Sequence, residues 1–224
     1  MDYSILEKSK LFRGLSAKEI KGSIGSISCY IKRFEEGETI YQFMAKADRI
    51  GIILKGSAQA QKIYPNGDQF NFSVRVAGDI LGPAAAFSGV QRYPFEVKAL
   101  ESTESLVFER MGFLRLLQSN IRVMENFVSE LASANFLLQQ RLELLTYNAI
   151  QHKIAFYLLM ASAESGWREV PIPGSMTRWA LMMNVSRPSL HRELKKMEEK
   201  GLLRYLPPKI EIADLEELRK VLEQ

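Results

Sequence analysis

Arg187, Arg192 and Lys195 lie close together near the carboxyl end of the chain, on a stretch that reads as a short helix, a turn and a second helix. Residues 176–203 run MTRWALMMNVSRPSLHRELKKMEEKGLL, and Leu190, Leu194 and Met197 recur there at helical spacing, marking one buried stripe. At about 100° per residue, Pro188, Arg192, Lys195 and Glu199 point away from that stripe, with Lys196 beside them. Arg187 lies nearer the buried edge but at the helix start, from which it can reach past the end. A guanidinium fork there matches the O6 and N7 acceptors of guanine, and lysines further along suit phosphates, which need charge more than geometry. Ser186, Ser189 and Thr177 supply hydroxyls at the same end. The plainer alternative is an ordinary helical hairpin with a solvated charged face.

The flanking residues are those that would hold such a unit in place. Residues 176–183 form the first helix, with Ala180 small enough to sit at a helix crossing, and Asn184 tolerates the left-handed turn conformation. Ser186 is a good N-cap, Pro188 is tolerated in the first turn, and Gly201 stops the second helix. Residues 202–205 and 209–212 then read as two strands around Pro207-Pro208, a wing, and Asp214 caps a last helix. Upstream, Asn148 is expected to cap a helix through Ala161 that Ser165-Gly166 ends, and residues 170–173 are strand-like.

Before this unit lies an unbroken heptad seam of Ile121, Met124, Val128, Leu131, Asn135, Leu138, Leu142 and Leu145, with steps that alternate three and four. A helix of this kind is about 37 Å long and can form the spine of a homodimer, with Met124, Val128, Leu131, Asn135, Leu138 and Leu142 in the interface. A polar Asn135 at an a-type position would fix its register. The alternative is a helix packed on its own domain. Residues 28–108 read as β, with short apolar runs at 50–54 and 72–76, glycines at 37, 56, 67, 78 and 82, and a strong hairpin turn at Pro65-Asn66-Gly67-Asp68. Residues 5–27 read as short helices. The expected architecture is α+β: an N-terminal jelly-roll-like β-roll (1–119), a dimerisation helix (120–147) and a winged helix-turn-helix (148–224).

Composition narrows the chemistry. The chain has 224 residues, 46% of them apolar and 25% charged, which suits a packed globule. A net charge of +4 permits nucleic-acid binding without demanding it. One cysteine, Cys29, excludes an internal disulfide and a four-thiolate iron–sulfur cluster; with His152 and His191 it falls short of a structural zinc set. No metal or cofactor is expected. A haem would need Cys29 or His152 as axial ligand, although the first reads as a core residue and the second as a surface or packing one. No nucleophile–base pair points to an enzyme. No apolar run reaches the roughly 18 residues of a membrane span, and Met1-Asp2-Tyr3-Ser4 lacks the features of a secretory signal, so a cytoplasmic protein without a membrane partner is expected.

Together these motifs resemble the CRP/FNR family of bacterial transcription regulators over nearly the whole chain. Leu11-Phe12-Arg13-Gly14-Leu15-Ser16 is similar to the family's opening motif, and Gly37, Gly56, Gly67 and Gly78-Asp79-Ile80-Leu81-Gly82 to its β-roll glycines. Val185-Ser186-Arg187-Pro188-Ser189-Leu190 with Arg192, followed by Lys200-Gly201-Leu202-Leu203, is similar to its recognition helix and wing. The resemblance implies a cyclic-nucleotide-binding-like roll whose effector shifts a dimer on a pseudo-palindromic duplex operator. It implies RNA polymerase as a partner if the protein activates. Ser186, Arg187, Ser189 and Arg192 become the expected DNA contacts. Pro188 stands where the family usually has a base-reading Glu. Members that bind cyclic AMP hold its ribose and phosphate with Gly-Glu-Leu and a later Arg-Ser or Arg-Thr; here those positions read Gly82-Pro83-Ala84 and Tyr93-Pro94, with Arg92 one residue away. On the long helix, Leu138-Gln139 stands for the polar pair that meets the base. The expected effector is therefore not cyclic AMP but a small apolar or aromatic molecule, an anionic one pairing with Arg92, bound among Gly82, Pro83, Ala84, Ala85, Arg92, Tyr93, Leu138 and Gln139. Two alternatives stand: these residues only fill the roll of an effector-independent DNA-binding regulator, or the roll is a sensing module with no DNA role.

Overall fold

The computed structural model describes residues 4–63 and 69–223; the expected turn at Pro65-Asn66-Gly67-Asp68 lies outside them. Contacts divide the chain into two compact units, Met1–Ala134 and Asn135–Gln224.

The first unit opens with α1 (Ser4–Glu7), a single 3-10 turn at Lys10–Phe12 and α2 (Ala17–Gly25). Ser16 and Glu19 form a reciprocal capping box at the start of α2, which satisfies donors the helix itself leaves free. Two antiparallel four-stranded sheets follow. One has the order β1 (Cys29–Phe34), β8 (Thr103–Glu109), β3 (Arg49–Lys55), β6 (Ile80–Leu81). The other runs β2 (Thr39–Tyr41), β7 (Glu96–Ala99), β4 (Ser57–Ile63), β5 (Gln69–Val76). Strand β3 is buried on both faces, which is why Ile50, Ile52, Ile53 and Leu54 form an unbroken apolar run instead of alternating. Its Ile50 and Ile52 join a core with Leu106, Phe108, Phe113 and Phe127; Ile53 joins a second core with Tyr41, Leu81 and Tyr93. This is the expected β-roll.

The short α3 (Pro83–Phe87) starts at Gly82, and α4 (Arg110–Ser119) leads to the long α5 (Ile121–Thr146). In its first turns α5 buries Val123, Asn126 and Phe127. The Asn126 amide donates to the carbonyls of Leu11 (3.0 Å) and Arg13 (2.9 Å), and the Arg122 guanidinium donates to that of Gly14 (2.8 Å). This half of the helix is thus tied to the roll by polar as well as apolar contacts.

In the second unit, α6 (Ile150–Ser165), α7 (Met176–Met182), α8 (Arg187–Glu199) and α9 (Leu215–Lys220) surround a three-stranded sheet of order β10 (Leu203–Leu206), β11 (Lys209–Ile212), β9 (Glu169–Pro171). Trp179, Ala180, Leu190, Leu194, Met197, Ile210 and Ile212 form its core. The sequence places Asn148 as the cap of α6, but the cap falls one residue later, at Ala149, with no side-chain cap bond. Packing of Tyr147 and Ile150 against the core sets the start, and burial outweighs a cap worth about 1 kcal/mol. The helix also runs past Ala161 to Ser165, where Gly166 takes the left-handed conformation.

Candidate functional site

The helix-turn-helix is built as its residues require. Ser175 caps α7 by accepting from the Arg178 amide at 3.1 Å. Asn184 turns the chain with φ of 54°, and the Val185 amide reaches back to the Ala180 carbonyl at 3.0 Å. Ser186 then caps α8: its Oγ accepts from the Ser189 amide at 3.1 Å and lies 2.8 Å from the Ser189 hydroxyl. Leu190, Leu194 and Met197 are buried, whereas Arg187, Pro188, Arg192 and Lys195 are exposed on α8 and Thr177 on α7. Ser189 is half-buried. The nearby Lys196 pairs with Glu193 at 3.5 Å, but among the described residues Arg187, Arg192 and Lys195 have no carboxylate partner. The wing is fastened to α8 by Glu198, whose carboxylate accepts from the Tyr205 amide at 2.8 Å, and by a ring contact between His191 and Tyr205. Ser186, Arg187, Pro188 and Ser189 are therefore brought together at the start of α8, with Arg192 and Lys195 further along it, and among the described residues these cations have no carboxylate partner.

The β-roll holds a cavity of about 320 Å³. Of the expected effector residues, Gly82, Pro83, Ala84, Ala85 and Tyr93 line it. Arg92 does not. Its guanidinium turns outward and donates to the Met44 carbonyl at 2.8 Å, holding the loop in which Met44 has φ of 62°. Leu138 and Gln139 belong to the second unit and are exposed on α5; within the first unit, Phe127, Glu130, Leu131 and Ala134 form the helical wall of the cavity. Two cations do line the cavity, Arg75 and Lys10, the second paired with Glu130 at 3.4 Å.

Tyr93 defines the floor. Its ring stacks on that of Tyr41 with centroids 4.2 Å apart and planes within 8°. The Tyr93 hydroxyl donates to the Arg49 carbonyl at 2.8 Å and accepts from the Arg49 amide at 3.3 Å. Burial above all pushes this phenol up to about 12, and burial also drives Tyr41 well above the ordinary tyrosine range. Both rings stay neutral at physiological pH. Gly82 makes room for them: its φ is 79°, and a Cβ there would lie 3.1 Å from the Tyr93 ring and 3.2 Å from that of Tyr41. Tyr41, Arg75, Phe127 and Glu130 escape the sequence reading because they come to the cavity from three separate elements, β2, β5 and α5.

Along α5, the seam residues Ile121, Met124, Val128, Leu131, Leu138, Leu142 and Leu145 are all exposed, between 37% and 66%, and Asn135 is exposed among them. Cys29 lies half-buried at the start of β1, and burial pushes its thiol up. Among the described residues no helix is long and apolar enough to cross a membrane.

Two family models match the chain: a cyclic nucleotide-binding domain over residues 31–120 and a Crp-like helix-turn-helix domain over residues 152–221. With both domains present in this order, the chain belongs to the CRP/FNR family and is a DNA-binding transcription regulator. That family is one of regulators and not of enzymes. Among its relatives is the cyclic AMP receptor protein of Thermus thermophilus, 21% identical over 218 residues, spanning 96% of this chain and 98% of its own. The catabolite activator protein of the same organism shares the fold with a TM-score of 0.56 at 20% identity, over 96% of this chain and 99% of its own. A CooA variant from Carboxydothermus hydrogenoformans does so with a TM-score of 0.59 at 16% identity, over 99% and 97%.

Proposed function

We propose that the chain works as a cytoplasmic homodimer joined along α5, that it reads a pseudo-palindromic operator with α8, and that a small effector other than cyclic AMP gates it from the roll cavity. The observation that carries the DNA reading is the capped α8, on which exposed Arg187, Arg192 and Lys195 have no carboxylate partner among the described residues. An apolar stripe left exposed along α5 in the single chain supports the dimer, since burying it in a two-fold seam removes it from water. Two-fold symmetry then sets half-sites about one helical turn apart. As an activator the dimer would also meet RNA polymerase. Selection from a randomised duplex library, at low and moderate salt and with and without cytosolic small molecules, tests this. A symmetric motif is expected, and its absence under every condition would remove the reading.

The effector reading rests on the floor of the cavity. The position at which relatives that bind cyclic AMP carry a phosphate-binding Arg is Tyr93, and its ring is stacked on Tyr41 and bonded to the β3 backbone. Pro83 offers no carboxylate for a ribose hydroxyl. What remains is a largely apolar chamber with Arg75 at its wall, which suits a small amphipathic molecule better than a sugar phosphate. Phe127 and Leu131 of α5 also line the cavity, so a ligand there touches the helix that carries the seam. Thermal-shift titration should show no stabilisation by cyclic AMP, and stabilisation by members of a panel of small aromatic and aliphatic acids that is lost in Arg75→Gln.

A further inference from the structure

Lys153, on α6, is only 7% exposed, and its surroundings are apolar: Ile154, Ala155, Trp179, Ala180 and Met183 are all buried in the same core. Its ammonium donates to the Met183 carbonyl at 2.9 Å, and no carboxylate pairs with it among the described residues. A buried ammonium with a single neutral acceptor is costly, and the straight-chain Met would fill the space without that cost. The acceptor explains the choice. Met183 is the C-cap of α7, so its carbonyl is one of those a helix end leaves without an internal partner, and no water reaches it. The next residues make the turn: Asn184 in the left-handed conformation, Val185 bonded back to Ala180, and Ser186 at the N-cap of α8. Only three residues separate the Lys153 acceptor, Met183, from Arg187.

We propose that Lys153 is a positioning residue for DNA reading, whose ammonium locks the turn between α7 and α8 and so fixes the aim of Ser186, Arg187 and Arg192. The inference rests on α8 carrying the base contacts, and Arg192→Ala tests that separately. A base contact depends on direction within a few tenths of an ångström, whereas a phosphate contact tolerates a shift. Loosening the turn should therefore cost specificity before it costs affinity for DNA as such.

The experiment compares full-length Lys153→Met and Lys153→Arg with the parent protein, by fluorescence anisotropy on the selected operator and on a scrambled duplex of equal length. Lys153→Met is expected to weaken operator binding about 10-fold or more and to leave scrambled binding within about twofold. Lys153→Arg, whose guanidinium reaches the same carbonyl, should restore most of the discrimination. Lys153→Gln, neutral and too short to reach, replaces the Met variant if that protein does not fold. Equal losses on both duplexes, or no loss on either, would overturn the proposal. If Arg192→Ala leaves discrimination intact as well, the fault lies in the reading of α8 and not in Lys153.

Discussion

Arg192 and Lys195 stand one turn apart on the exposed face of α8, and the same substitution should affect them in different ways. Arg192 is a planar fork close to the helix start, in reach of base edges; Lys195 lies a turn further along, where the backbone of a duplex would pass. A bidentate arginine–guanine contact discriminates against the wrong base by about 1–3 kcal/mol. A two-fold dimer makes it twice, so Arg192→Ala should cost about 2–6 kcal/mol on the operator, a loss of about 30-fold or more, with little change on scrambled DNA. Lys195→Ala should weaken both duplexes alike. It removes about one phosphate contact per protomer, so the slope of log K against log salt should become shallower by about 1.8 per dimer. Lys196, already paired with Glu193, serves as the comparison and should matter less than Lys195. Anisotropy titrations over a range of salt concentrations give both quantities. Parallel losses for Arg192→Ala on the two duplexes, with a shallower salt slope, would make Arg192 a phosphate contact and refute the assignment of base reading to this face.

Three further outcomes follow from the packing. Gly82→Ala sets a Cβ against two aromatic rings at a φ of 79°, which should destabilise the roll by about 1–3 kcal/mol; an unchanged thermal midpoint would show that the stack moves aside freely. Because folding holds the Tyr93 phenol protonated up to about 12, its contribution is complete below the unfolded value near 10 and is lost as pH rises towards 12. Urea midpoints of Tyr93→Phe should accordingly fall less steeply than those of the parent over that window, and coincident curves would deny the shift. Asn135→Asp sets like charges across the proposed seam and should shift sedimentation towards monomer; an unchanged dimer would mean that the heptad register is wrong.

Most of the fold is legible in sequence where the signals are local. The stripe of Leu190, Leu194 and Met197, the Ser186 cap, the left-handed Asn184 and the Asp214 cap depend on neighbours within a few residues, and each is found as the spacing predicts. Asn148 shows where that logic ends. Its side chain is suited to a cap, but Tyr147 and Ile150 gain more by packing against a core drawn from the rest of the unit. The floor of the cavity is less legible still, since Tyr41 and Tyr93 meet from β2 and from the loop before β7, and nothing in either segment names the other.

Arg92 and Tyr93 show why adjacency in sequence misleads at such a site. In extended chain, neighbouring side chains point to opposite sides, so only one of the pair can enter the roll. The Tyr93 amide bonds to the Ala45 carbonyl and its own carbonyl accepts from the Met44 amide, which fixes this extended segment and its parity. With Tyr93 inside, Arg92 must face out, where it clamps the Met44 loop instead of a ligand. A cation one position removed along the chain is therefore turned away from the cavity, not merely displaced within it. Of the two cations that line the cavity, Lys10 is paired with Glu130, and Arg75 comes from β5, which pairs along β4. An effector held by Arg75 would carry its acid at a different wall from a cyclic nucleotide phosphate. If the proposed effector is an acid, Arg75→Gln should abolish its binding, whereas Arg92→Gln should leave it unchanged, because only Arg75 lines the cavity.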